Sequence, residues 1–217
     1  MNKAECDACI METLTPYFAE RGFVPQKSTV WVRFNDPEKT YFDVIEVGLG
    51  KSAFYFHFGF GSLHVPYCEG YKDLKLQKHG RLAHNLHIFF DDADPKGTVL
   101  WVKWLPGCGE SITPVDLLRA AGQLLALAES YRGRNTDFHA FHRLFHEERT
   151  KLRQFGLPFT CHINHDIANA VMARALGEEG CTSDEGLSQI YKGEGWRTNA
   201  DAAAARIRKT LGGASRI

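Results

Sequence analysis

The chain has 217 residues, with 26 Lys+Arg balancing 26 Asp+Glu, 44% hydrophobic content and 24% charged residues. Such a balance excludes a protein-wide basic field for nucleic acid and an equally broad acidic decoy surface, leaving only local patches. The composition suits a soluble globular chain with one substantial core, or one ordinary domain with a helical extension.

Residues 1–20 carry Glu5, Asp7 and Glu12, so the apolar core of an export signal is missing there. No stretch approaches the roughly 20 apolar residues that a membrane-spanning helix needs. The six cysteines, Cys6, Cys9, Cys68, Cys108, Cys161 and Cys181, are then expected to stay reduced in a cytoplasm.

In chain order, residues 3–21 read as an amphipathic helix, with Ile10, Leu14, Tyr17 and Phe18 at helical spacing and Gly22 as its stop. Period-two stretches follow. In "STVWVRF" (28–34), Val30, Val32 and Phe34 share one face while Trp31 and Arg33 share the other. "YFDVIEV" (41–47) comes after the turn sequence "NDPEK". "AFYFHFGF" places Phe54, Phe56, Phe58 and Phe60 on one side of a strand. Leaving that row wet would forfeit about 1.5–3 kcal/mol per ring, so it demands an apolar cover. Residues 61–80 read as a longer mixed loop. "LHIFF" (86–90) and "TVLWVKWL" (98–105) read as two more strands joined by the turn "DDADPKG".

From residue 113 the period becomes helical. Thr113 caps, Pro114 takes the first helical position and Asp116 favours the positive helix end. Leu117, Leu118, Ala121, Leu124, Leu125 and Ala128 form its stripe, and Gly133 ends it. A second helix runs from about Asp137 to Phe155, closed by Gly156 and Pro158. "NHDIANAVMARALG" opens on an Asn cap and closes on Gly177. "TSDE" (182–185) has capping-box spacing for a short helix, and Asn199 opens a final Ala-rich one. The fold class is α+β: an antiparallel meander sheet with the N-terminal helix packed on it, then a helical C-terminal half. Residues 1–110 hold the sheet, and 111–217 are expected to pack on it as one continuous domain.

Few motifs carry chemistry. "GLGKS" (48–52) ends like a phosphate-binding P-loop, but Ile45 stands where the first glycine belongs and a strand follows instead of a helix. Cys6 and Cys9 form a lone CxxC without a second pair for zinc or a preceding strand for redox work. His84 and His87 read as structural, and Asp91 and Asp92 as a solvated turn. "GEGWR" (193–197) puts Trp196 in a loop between helices, where it plugs a junction or, less conservatively, anchors a partner.

The histidines of "DFHAFHRLFHEER" (137–149) are the best candidate set. His139, His142 and His146 fall within a 60° arc, roughly, beside the stripe Phe138, Phe141, Phe145 and Leu152. At 1.5 Å rise per residue His139 and His146 stand about 10 Å apart, too far to share an ion bound at about 2 Å. His142 and His146 are close enough, and "CHINH" (161–165) offers Cys161, His162 and His165 as further donors. The candidate metal set is therefore His142, His146, His162 and His165, with zinc as the ion and Asp166 or Glu147 as base for a hydrolase. The zinc-protease pattern HExxH is missing, so packing at the border of the helix stripe is the preferred reading and no cofactor is expected.

"LTPYFAERGF" (14–23), "STVWVRF" (28–34), "YFDVIEVGLGKS" (41–52) and "FYFHFGF" (54–60) together resemble the bacterial domain of unknown function 4304 family. The resemblance covers the N-terminal half and implies a helix followed by an antiparallel sheet. Arg21 before Gly22 and Phe23 departs from the family pattern, as does the lack of a Gln at the end of the second main strand. It implies no functional residues. The function expected is a non-catalytic protein-binding module, such as an immunity or accessory protein that occupies a toxin or effector. A metal-dependent hydrolase is the alternative. A nucleic-acid module resting on "RIRKTLGGASRI" (206–217), Arg132 and Arg134 is weakened by the balanced charge.

Overall fold

The computed structural model describes residues 3–27, 29–49, 53–69, 73–75, 77–80, 82–83, 85–88, 100–103, 113–154, 163–177 and 195–214. Helix α1 (Lys3–Ala19) buries Cys6, Ile10, Leu14 and Phe18, each four residues from the last. Its end is a Schellman turn. Gly22 sits at φ 80°, its N–H donates to Ala19 O (2.9 Å) and that of Phe23 reaches back to Phe18 O (3.2 Å). The Phe18 and Phe23 rings then meet at 6.3 Å, the apolar contact that accompanies this cap.

The expected strands β2 (Val30–Phe34), β3 (Tyr41–Leu49) and β4 (Ala53–Ser62) form a meander that β1 (Val24–Lys27) extends at its edge, all antiparallel to their neighbours. In the β2–β3 turn the Asp36 carboxylate accepts from the N–H groups of Thr40 (2.9 Å) and Tyr41 (2.6 Å). This Asx-type bonding accounts for the turn signal in "NDPEK". β4 pairs with β3 from Phe54 to Ser62, so the segment after "GLGKS" is a strand and no helix N-terminus is available for a phosphate.

Beyond β4 the expectation needs correction. β7 (Leu86–Ile88) pairs with Phe58–Phe60, and β8 (Leu100–Lys103) pairs with Ala53–Phe56. β3 occupies one edge of β4, so both lie end to end along the other. They act as one interrupted strand and not as a hairpin joined by "DDADPKG", a segment outside the described residues. The 61–80 region, expected as loop, contains a short hairpin of β5 (Tyr67–Glu69) and β6 (Asp73–Lys75). β1 was not legible either. "VPQK" holds a proline and an irregularity in register between Pro25 and Lys27, which suits an edge strand and weakens the alternation signal.

The helices follow as α2 (Pro114–Ser130), α3 (Phe138–Gln154), α4 (Ile163–Leu176) and α5 (Gly195–Ala214). Thr113 and Asp116 form a reciprocal capping box at the start of α2. Asn164 and Asn199 are inside α4 and α5 and do not cap them, and Trp196 lies in the first turn of α5 instead of a loop. "TSDE" falls outside the described residues.

The alternation in β2 is real, yet both of its faces are buried. Trp31, Ile45, Phe56, Phe58 and Phe60 join residues of α1, α2, α3, α4 and α5 in one continuous core. Phe18 meets Trp31 edge-on at 4.9 Å, which seats α1 on the aromatic face of the sheet. On the opposite face Val30, Val32, Phe42, Val44 and Leu82 form a second, smaller cluster with Phe34 and Leu63 against it.

Candidate functional site

Three polar constellations stand out on this frame. The first is centred on Arg33, on the helix-covered face of β2. Its register partner on β3 is Asp43. Asp43 Oδ2 accepts from Arg33 Nη2 (2.8 Å) and Nε (3.2 Å), while Oδ1 accepts from Asn35 Nδ2 (2.8 Å). Arg33 Nη1 donates to Glu129 Oε1 on α2 at 2.5 Å, and Nη2 also reaches Ala128 O at 3.3 Å. The guanidinium stacks over the Phe23 ring, 4.6 Å from its centroid. Arg33 is 5% exposed and Asp43 1%, so this pair is sealed in the protein, while Glu129 lies half-buried at its edge. Burial pushes the Asp43 carboxyl up, and the charge and hydrogen bonds of Arg33 pull it back. For Glu129 burial also opposes ionisation, but the bonds from Arg33 and Arg132 win and hold its carboxyl down. Each charge is matched, and the guanidinium ties β2, β3 and α2 to the turn that follows α1.

The second constellation closes one end of the sheet. Tyr41 and Ser62 are register partners on β3 and β4, and both are buried. Burial, with the Asp137 and Asp36 carboxylates adding to it, pushes the Tyr41 phenol well above its ordinary range, against a hydrogen bond from Ser62. The His64 ring lies 6.1 Å from that of Tyr41, and burial pulls its imidazole down while Asp36 opposes. Ser62 Oγ accepts from the His64 backbone N–H (3.2 Å) and its own N–H donates to Asn85 Oδ1 (2.9 Å). Ser, His and Tyr are thus neighbours, but the hydroxyl is wholly buried and engaged in the turn, out of a substrate's reach. Asn135 completes this end by donating from Nδ2 to Phe42 O (3.2 Å) and Gly61 O (3.3 Å), which locks the α2–α3 turn onto the sheet.

The third is the histidine helix. Phe138, Phe141, Leu144 and Phe145 of α3 face the core, and Phe141 meets Phe60 edge-on at 5.7 Å. His142 and His146 are half-buried at the border of this stripe and His139 is exposed. The rings of His142 and His146 lie 4.8 Å apart at 87°, and Phe138 lies parallel to His142 at 6.3 Å. His165 is on α4, but its side chain and the whole of His162 lie outside the described residues. Among the described residues α4 makes its main helix packing with α5. Among the described residues no three His, Cys, Asp or Glu side chains gather as metal donors would.

Cys6 is buried in the core and its thiol is raised, first of all by burial, while Cys9 is half-buried; both are free. That environment disfavours the reactive thiolate. His87 is a strand residue paired with Gly59, and His84 lies outside the described residues. The Arg33 network was not anticipated. Its signal is an arginine on the Trp31 face of one strand and an aspartate in the next, both flanked by apolar residues. No helix of the described residues is long and apolar enough to cross a membrane. No protein-family model, curated protein or solved structure matches the chain.

Proposed function

We propose that this chain is a non-catalytic, cytoplasmic protein-binding module, of the kind in which an immunity or accessory protein occupies a toxin or effector. The observation that supports this reading is the fate of Arg33. Its guanidinium, a group that could otherwise hold an anionic substrate, is stacked on Phe23 and bonded to Asp43, Glu129 and Ala128. Charge in the interior therefore fixes a rigid arrangement of helices over a sheet, and preorganisation of that kind favours association because little is lost to ordering on binding. The free thiols of Cys6 and Cys9 suit a reducing compartment. A resemblance to the domain of unknown function 4304 family, if shared descent underlies it, extends the same sheet to that family.

The test is affinity purification from the native host with the untagged chain as competitor. The expected result is a single stoichiometric partner, displaced by the competitor and retained in chelator. Hydrolysis of ester, amide or phosphodiester reporters by the purified chain, abolished by one substitution, would overturn the reading.

A further inference from the structure

Helix α3 holds two imidazoles at a separation that suits a shared ion. His142 and His146 are one turn apart, and their ring centroids are 4.8 Å apart. A nitrogen bound at about 2.0–2.1 Å puts each ring centre about 3 Å from the ion, and a tetrahedral angle then sets the two centres about 5 Å apart. The observed spacing needs no movement of the backbone to reach this. An ion lies in the plane of each ring that binds it. Two planes at 87° intersect in a line, so points exist that lie in the plane of both rings, as a shared ion requires.

The helix holds the pair in place. Phe138, Phe141 and Phe145 are buried to 4% exposure or less, so the core side of α3 is fixed. The Phe138 ring lies parallel to His142, with only 4° between the planes, and limits how that imidazole turns. A metal-bound imidazole coordinates through one ring nitrogen, and a hydrogen bond at the other sets its tautomer. His139 is on the exposed side and about 10 Å along the axis from His146, beyond joint reach.

We propose that His142 and His146 form a two-imidazole site for a late first-row divalent cation, with its other coordination positions open to water or to donors from another molecule. Affinity should follow the general order for nitrogen ligands, copper(II) above nickel(II) and zinc(II). The site has half the ligands of the hydrolase set considered from sequence. It stands independently of the partner-binding reading, since it concerns an ion and not a protein.

The test uses the untagged, chelator-stripped full chain, titrated with copper(II), nickel(II) and zinc(II) against a chromophoric competitor. Expected is one equivalent of copper(II), with a spectrum of nitrogen coordination. His142→Gln or His146→Gln should each weaken binding by about tenfold or more, while His139→Gln changes it less than about twofold. Circular dichroism of each variant establishes that the fold is kept. Copper(II) bound as tightly by the His142→Gln/His146→Gln double variant, or no saturable first equivalent in the parent chain, would overturn the proposal. Loss of affinity on lowering the pH from 7.5 to 5 is a further expected result, because both imidazoles coordinate as neutral rings.

Discussion

Arg33 and Asp43 face one another directly across β2 and β3, with Arg33 Nη2 2.8 Å from Asp43 Oδ2, beneath helix α2. An ion pair in that position has little water to fall back on if one partner is removed. Asp43→Ala leaves the guanidinium with Glu129 as its remaining carboxylate, and Asn35 Nδ2 without the Asp43 acceptor. Breaking a buried pair in this way costs about 3–5 kcal/mol. The combined variant Arg33→Met/Asp43→Leu removes both charges and is expected to recover most of the loss, because well-packed apolar replacements are often close to neutral. Urea unfolding of the three proteins decides it. A cost below about 1 kcal/mol for Asp43→Ala would mean that water reaches the site.

Gly61 makes a different demand on the same sheet. A Cβ built there would lie 2.7 Å from Phe42 Cε2, 2.8 Å from Phe42 Cζ and 3.1 Å from Ala83 O. Phe42 is wholly buried and is the register partner of Gly61, so the ring lies across the glycine with nowhere to retreat. Gly61→Ala is expected to destabilise by about 1–3 kcal/mol through overpacking. Gly80→Ala is the control. Nothing lies within 4 Å of its Cβ position, and its φ of 82° alone should cost about 1 kcal/mol. Thermal melts of both variants rank the two effects.

The sheet was legible because its strands alternate: Trp31 with Arg33, and Phe56 with Phe58 and Phe60, do share one covered face. The helix ends with strong chemistry were legible too, as at Thr113 with Asp116 and at Gly22. What escaped was set by tertiary contact. β1 is a proline-containing edge strand held by β2, and β7 and β8 share one edge of β4, which no local pattern encodes. Trp196 looked like a loop residue because "GEG" precedes it, yet the helix starts at Gly195. Of the candidate site, the spacing of His142 and His146 was readable from periodicity. The Arg33–Asp43–Glu129 cluster was not, because Glu129 lies 96 residues from Arg33 and comes to it only through the packing of α2.

His57 lies opposite Glu46 across β3 and β4, and burial pulls its imidazole down to about 4. The unfolded chain takes up a proton near pH 6.5, whereas the folded one resists until about pH 4. The contribution is thus fully present above pH 6.5, and it is lost as pH falls through this window, by up to about 3 kcal/mol. Glu46 works in the other direction, since burial raises its carboxyl and acid favours the folded form there. The informative measurement is the difference between the parent and His57→Gln, by urea unfolding at pH 7.5 and pH 4.5. The parent should lose more stability on acidification than the variant. Equal losses would show that His57 is protonated in the folded chain.

Phe58 is the centre of the aromatic row, wholly buried and 5.8 Å from the ring of Tyr131, the C-cap residue of α2. Its removal therefore opens a cavity between the sheet and a helix, and it also loosens the turn that carries Asn135 and the start of α3. Phe58→Ala is expected to cost about 3–5 kcal/mol, and Phe58→Leu less because more of the volume is kept. Val115→Ala provides the contrast: that side chain is 71% exposed, so its loss should fall within about 0.5 kcal/mol of zero. If α3 depends on this row for its seat, Phe58→Ala should also weaken the copper(II) site at His142 and His146, whereas Val115→Ala should leave it unchanged. Titration of both variants under conditions where each is folded would separate a helix held by the sheet from one that stands alone.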